Sequence, residues 1–253
     1  MNNEKTTFGN GDEILSFLMI GQSNMAGRGD VSDIAPIESD SLLVLRMGRW
    51  QQMRRPVNPD RGAFTGFFKS GVCLAESFAQ GLQKHTGAKI GLIPCADGGT
   101  CLDEWVKGSL LFDHAVAMAR LAMRTSRLSG IIWHQGESDA REAEKVSEYK
   151  EKFIKMINDL RSELKLPTLP VVIGELSHDL GENALSWRFE NRHLELNRIL
   201  NKIPSELEWC RIAHSDGLDL MSDGLHFDSR SLYILGERYF NEMKILLEGD
   251  KNE

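Results

Sequence analysis

The feature that most constrains this chain is an alternation. Short apolar runs, of the kind buried strands show, take turns with longer stretches whose apolar residues recur at helical spacing. The runs lie at residues 14–20, 42–47, 90–95, 131–134 and 171–176, with a further short one near 209–213. Between them, Val72, Ala75, Phe78, Ala79 and Leu82 mark a helix closed by Gly87. Phe112, Val116, Ala119 and Met123 mark another, and Val146 to Leu164 sustain a long amphipathic one. Residues 189–200 and the series from Leu232 to Leu246 supply two more. Strand–helix alternation predicts a mainly parallel sheet covered by helices on both faces, with ligands at the carboxyl ends of its strands.

Length and charge narrow the class. At 253 residues the chain fits one α/β domain, read here as 1–253 with its core at about 14–248. A net charge of −7 argues against nucleic acid as the main partner, because phosphate binding needs a basic surface. The N-terminal residues lack a basic start followed by an apolar core, and no apolar run is long enough to span a bilayer. The expectation is a cytoplasmic protein without a membrane partner. Cys73, Cys95, Cys101 and Cys210 show no CxxC spacing and are expected as free thiols.

Four polar, glycine-bearing strings follow or adjoin the strands, where such folds do chemistry. The first is Gly21-Gln22-Ser23-Asn24-Met25-Ala26-Gly27, after strand one. It reads either as a nucleophilic serine on a tight turn or as a plain Ser/Asn helix cap. Gln22 and Asn24, on either side of the serine, are candidate substrate contacts. The second is Asp97-Gly98-Gly99-Thr100, where glycine exposes backbone N–H groups. The third is Ile132 to Asp139, containing Gln135 as a possible oxyanion donor and Glu137 as a carboxylate close by. The fourth is Ser222-Asp223-Gly224-Leu225-His226-Phe227. An Asp and a His three residues apart in a turn can join carboxylate to one ring nitrogen, leaving the other for the proton of Ser23. Taken alone, the same string reads as an Asp-Gly turn beside a surface histidine.

In that order and combination, GQSNMAG, DGGTCLDEW, WHQGESD and DGLHF resemble the sialate O-acetylesterase and acetylxylan esterase branch of the SGNH hydrolases. The resemblance runs from Gly21 to Phe227. It implies a flavodoxin-like three-layer α/β/α sandwich on a mainly parallel five-stranded sheet. It also implies metal-free, cofactor-free deacetylation of an acetylated xylan or an O-acetylated sialic acid. By position, Ser23 is the implied nucleophile, His226 the base and Asp223 the residue that orients it. The implied oxyanion donors are the Ser23 N–H, an N–H of Gly98 or Gly99, and the Gln135 side chain. Glu137 either supports Asp223 as a second acid or braces the loop. Two other readings stay open: an esterase for a non-carbohydrate acyl group, and a silent carbohydrate-binding protein.

Other residues carry weaker signals. Trp105 either stacks on a sugar ring or belongs to the core. Trp133 reads as packing and His134 as a satisfied histidine at the sheet edge. Arg46, Arg49, Arg54, Arg55 and Arg61 crowd a stretch read as a long solvated loop after strand two. Its functional alternative is a substrate carboxylate held by Arg54 and Arg55. His85, His114, His178, His193 and His214 form no recognised ligand spacing, so no metal is expected.

Overall fold

The computed structural model describes residues 13–59, 69–181 and 189–249. Arg61, and the glycines Gly62 and Gly66 beyond it, lie outside the described residues. In chain order the elements are β1 (Ile14–Gly21), α1 (Ser23–Ala26), β2 (Leu42–Arg46), β3 (Arg49–Gln52), α2 (Leu74–Thr86), β4 (Lys89–Pro94) and α3 (Leu110–Ala122). There follow β5 (Arg127–His134), α4 (Ala143–Leu164), β6 (Val171–Gly174), α5 (Arg192–Leu200), β7 (Cys210–Ala213) and α6 (Ser229–Glu248).

The strands form one sheet in the order β3-β2-β4-β1-β5-β6-β7, parallel throughout except for β3. Helices cover both faces, giving three layers. On one face α3, α4 and α5 bury Phe112, Tyr149, Phe153 and Leu196; on the other α2 and α6 bury Phe78, Leu82, Leu235 and Tyr239. Phe17 of β1 meets Phe78 of α2 edge to face at 5.2 Å. Each such side chain, taken from water, contributes about 1.5–3 kcal/mol. β1 lies between β4 and β5, and seven of its eight residues are buried. That double burial explains why its sequence is apolar without alternation.

Among the described residues the sheet has seven strands, not the five implied by the resemblance. One addition is β7, the short apolar run near 209–213, which pairs with β6. The other is β3, inside the stretch read as a loop. Met47 and Gly48 have φ of 49° and 75°, the left-handed pair that a tight hairpin needs, and they fold β3 back onto β2. Its short polar sequence, Arg49-Trp50-Gln51-Gln52, hid it, because an exposed edge strand carries charged and polar residues. Trp50 of β3 lies over Gly91 of β4, where a Cβ would stand 2.6 Å from the indole ring. None of the four cysteines forms a disulfide. Among the described residues, no helix is long and apolar enough to cross a membrane.

Candidate active site

The site grows from the carboxyl ends of the three central strands. At the end of β1, Gly21 has φ of 131°, and a Cβ there would collide with the His134 carbonyl of β5. Only glycine lets the two strands close so tightly, and Gln22 N–H then donates to that carbonyl at 2.9 Å. The chain turns at once into the single turn α1, with Ser23 as its first residue. At the far end of the chain, residues 221–227 form a turn before α6, whose N-cap Asp228 accepts from the Ser231 N–H at 2.7 Å.

These two turns meet. His226 Nε2 lies 2.9 Å from Ser23 Oγ, and His226 Nδ1 lies 2.7 Å from Asp223 Oδ2. A carboxylate only accepts, so Nδ1 carries the proton and Nε2 is left to accept from the serine hydroxyl. The other Asp223 oxygen accepts the N–H groups of Leu225 and His226 at 2.9 and 3.0 Å, which locks the carboxylate to its own turn. Partial burial alone would raise the Asp223 carboxyl, but these hydrogen bonds and the paired imidazole outweigh it and hold it below the usual value. Burial pulls His226 below its ordinary 6.5, Asp223 opposes that shift, and the cation of Arg28 adds to it. At neutral pH the imidazole is therefore free to take a proton.

Gly98, in the loop after β4, borders the serine. A Cβ on it would stand 3.5 Å from Ser23 Cβ and 2.6 Å from Arg28 Nη2. Gly99 has φ of 79° and faces open space. Arg28 was not singled out in the sequence. Its Nη1 donates to the Gly27 carbonyl at 2.9 Å, which brings a positive charge to the rim of the site. Its position directly after the serine string was the available signal.

Gln135 is anchored by several polar partners. It is wholly buried, and its Nε2 donates to Thr100 O at 2.9 Å, Gln22 Oε1 at 3.2 Å and Asp139 Oδ2. Tyr149 Oη stands 2.9 Å from its Oε1. The amide ties the loops after β1, β4 and β5 together beneath the site, and these bonds engage the same Nε2 group that the resemblance implies as an oxyanion donor. Asp139 completes the floor by accepting the Leu102 N–H, and burial raises its carboxyl to about 6. Gln22 belongs to the same floor: its Oε1 accepts from Gln135 and, at 3.4 Å, from the Ser138 N–H.

Asn24 is also structural. Its Oδ1 accepts the Phe227 N–H at 3.1 Å, while its Nδ2 donates to Leu225 O at 3.3 Å and Glu137 Oε1 at 2.5 Å. It thus clamps the serine turn to the histidine turn, and Glu137 anchors the clamp from behind. No hydrogen bond joins Glu137 to His226 among the described residues. Burial pushes Glu137 up to about 7. Beside it, fully buried His134 is pulled down to about 3 by burial. Tyr239 donates to Trp133 O at 2.7 Å, so it accepts from His134 Nδ1 at 3.1 Å. The remaining His134 lone pair faces Glu137 across 3.7 Å, an arrangement that suits a protonated carboxyl.

Two further candidates leave the site. Trp105 is 1% exposed, donates to Thr100 Oγ1 at 3.1 Å and packs edge to face on Trp133, so it is core and cannot stack on a sugar. Arg55 spends its guanidinium on Glu76 at 2.8 Å and on the carbonyls of Val31, Ile34 and Ala35, leaving no fork for a substrate carboxylate. Arg54 is exposed and donates to Gln52 Oε1 at 3.3 Å.

The class is set by a mainly parallel sheet in a three-layer α/β/α sandwich, with Ser23, His226 and Asp223 in one hydrogen-bonded line at its carboxyl edge: the architecture of the SGNH type. Residues 14–245 match the family described as carbohydrate esterase, sialic acid-specific acetylesterase, and the chain belongs to that family. It is therefore a carbohydrate esterase. It is 30% identical over 238 residues to the probable carbohydrate esterase At4g34215 of Arabidopsis thaliana, covering 87% of this chain and 86% of that one. The X-ray structure of the Arabidopsis protein superposes with a TM-score of 0.79 at 26% identity, over 93% of this chain and 98% of the other. NanS shares the fold, with a TM-score of 0.71 at 16% identity over 94% and 98% of the two chains.

Proposed function

We propose that this chain removes O-acetyl groups from an acetylated sugar by a two-step serine mechanism. The observation that carries the reading is the continuous line Ser23–His226–Asp223, at 2.9 and 2.7 Å. Ser23 Oγ attacks the acetyl carbonyl while His226 Nε2 takes its proton. Asp223 holds the ring and stabilises the imidazolium. The oxyanion forms against backbone N–H groups of Ser23 and Gly98, the glycine that borders the serine. The tetrahedral centre collapses, the sugar–oxygen bond to the acyl carbon breaks, and His226 returns the proton to the departing hydroxyl. Water then attacks the acetyl-serine, His226 takes the water's proton, and acetate leaves as Ser23 regains its hydrogen.

The family's description favours an O-acetylated sialic acid as substrate, with acetylated xylan as the neutral alternative. The test is acetate release by wild type and Ser23→Ala on acetylated sialic acid, acetylated xylan and 4-nitrophenyl acetate. Wild type is expected to turn over one of the two sugars. Ser23→Ala is expected to lose at least about 10⁴-fold in kcat while keeping the fold. Undiminished turnover by a folded Ser23→Ala protein would remove the mechanism, and action on 4-nitrophenyl acetate alone would remove the sugar.

A further inference from the structure

Away from the serine, the same edge of the sheet gathers a second set of chemically active groups. Glu175 directly follows β6, and His178 lies three residues on. His214 directly follows β7, and Asp216 lies two residues on. Linear spacing does not reveal this set, because it is split between two loops that only adjacent parallel strands bring together.

The distances have a pattern. His178 Nε2 stands 3.5 Å from Glu175 Oε2 and 3.8 Å from Asp216 Oδ1. One ligand atom from each of Glu175, His178 and Asp216 lies within 4.8 Å of the others. His214 Nδ1 reaches the same Glu175 oxygen at 3.3 Å. The His178 separations are long for hydrogen bonds. They approach the edge of a tetrahedron around a metal ion, which is about 3.3 Å when metal–ligand bonds are about 2.0–2.1 Å.

Glu175 is prepared for such a role. Its side chain is 5% exposed, the Ser215 N–H donates to Oε2 at 3.1 Å, and Asn201 Nδ2 donates to Oε1. Such outer partners fix a ligating carboxylate before the ion arrives. His178 is steadied through its backbone, whose carbonyl accepts from His193 Nε2 at 3.1 Å. The His178 and Asp216 side chains are 42% and 74% exposed, so an ion enters directly from solvent.

We infer that Glu175, His178 and Asp216 form a surface binding site for a divalent transition metal ion of the zinc class, with water or His214 completing its shell. Imidazole together with carboxylates selects such an ion over magnesium or calcium, which prefer all-oxygen shells. The ion's place is structural. The loop that carries His178 continues to Gly181, whose N–H donates at 3.0 Å to the Gly224 carbonyl, between Asp223 and His226. Fixing His178 therefore stiffens the support of the histidine turn without putting metal on the substrate.

Calorimetric titration of chelator-treated protein with zinc chloride tests this directly, alongside thermal melting. One zinc per chain and a raised Tm are expected for wild type. His178→Ala and Asp216→Ala, both at exposed side chains, are each expected to weaken zinc binding about tenfold or more. Magnesium chloride is expected to leave Tm unchanged. Absence of zinc binding by wild type, or unweakened binding by both folded variants, would overturn the site. Because the readouts are heat and melting, they stand apart from esterase activity.

Discussion

Two pairs of sequence strings look alike and meet different fates. The strings around Ser23 and His226 come to the rim of the sheet, where their side chains hydrogen-bond one another and Asp223 stays partly in solvent. The string around Gln135, with Thr100 from the loop before it, turns downward into a buried polar floor. Both regions are polar and follow strands, yet one is arranged to react and the other to hold. The difference lies in how the polar groups are engaged. Reactive groups need a mobile proton and access to substrate. A buried amide or carboxyl must instead satisfy every donor and acceptor internally.

The sharpest way to break this contrast is to disable one member of each region. Asp223→Asn keeps the shape of the turn but offers His226 an amide in place of an anion. A loss of about 10³–10⁴-fold in kcat is expected, read with any substrate that wild type hydrolyses. Gln135→Ala is expected to behave oppositely. It leaves Thr100 O and Asp139 with fewer partners, so stability falls by about 1–3 kcal/mol in denaturant unfolding. Its kcat per folded molecule is expected to fall less than about tenfold, against the roughly 10²–10³-fold that loss of an oxyanion donor costs. A large kcat loss with unchanged stability would return Gln135 to the oxyanion site.

Glu137 sharpens the same contrast through pH. Burial lifts its carboxyl from 4.5 to about 7. The folded protein therefore keeps a proton that the unfolded chain gives up near 4.5. This contribution to stability is fully present below 4.5 and is lost as pH rises toward and through 7. Glu137→Gln stays neutral and still offers Asn24 an oxygen. Its Tm is expected to fall less than that of wild type between about pH 5 and about pH 8, with the gap worth roughly 1–3 kcal/mol. Parallel pH profiles would show that Glu137 is charged in the fold and is no neutral anchor.

What the sequence made legible follows the range of each interaction. Asp223 and His226 are three residues apart, so their contact is written locally. Ser23 is placed by the strand before it and by Gly21, whose need for close approach is also local. The network around Gln135 was not legible, because the direction of a side chain just past a strand depends on the pleat and on the floor beneath it. Partners such as Tyr149 and Asp139 declare themselves only in three dimensions. The burial of Trp105 and the clamp made by Asn24 were hidden for the same reason. The hairpin strand β3 was obscured by its short polar sequence, and Glu175 joins His178 and Asp216 only through the pairing of β6 with β7.

The smallest effect concerns Arg28, a charged residue at the rim that the strings did not flag. The acid limb of kcat/KM reports His226 in the free enzyme, since only the neutral ring accepts the serine proton. Burial sets that limb below 6.5, Asp223 pulls it back up, and the Arg28 cation pushes it down again. Removing the cation in Arg28→Gln stabilises the imidazolium, so the limb is expected to move toward higher pH. Sodium chloride is expected to move the wild-type limb the same way and that of the variant less, because salt screens a partly exposed charge. A limb that stays in place in Arg28→Gln would mean that the charge does not reach the ring. Arg28 would then be, like Gln135, a residue that holds the turn and leaves the chemistry to its neighbours.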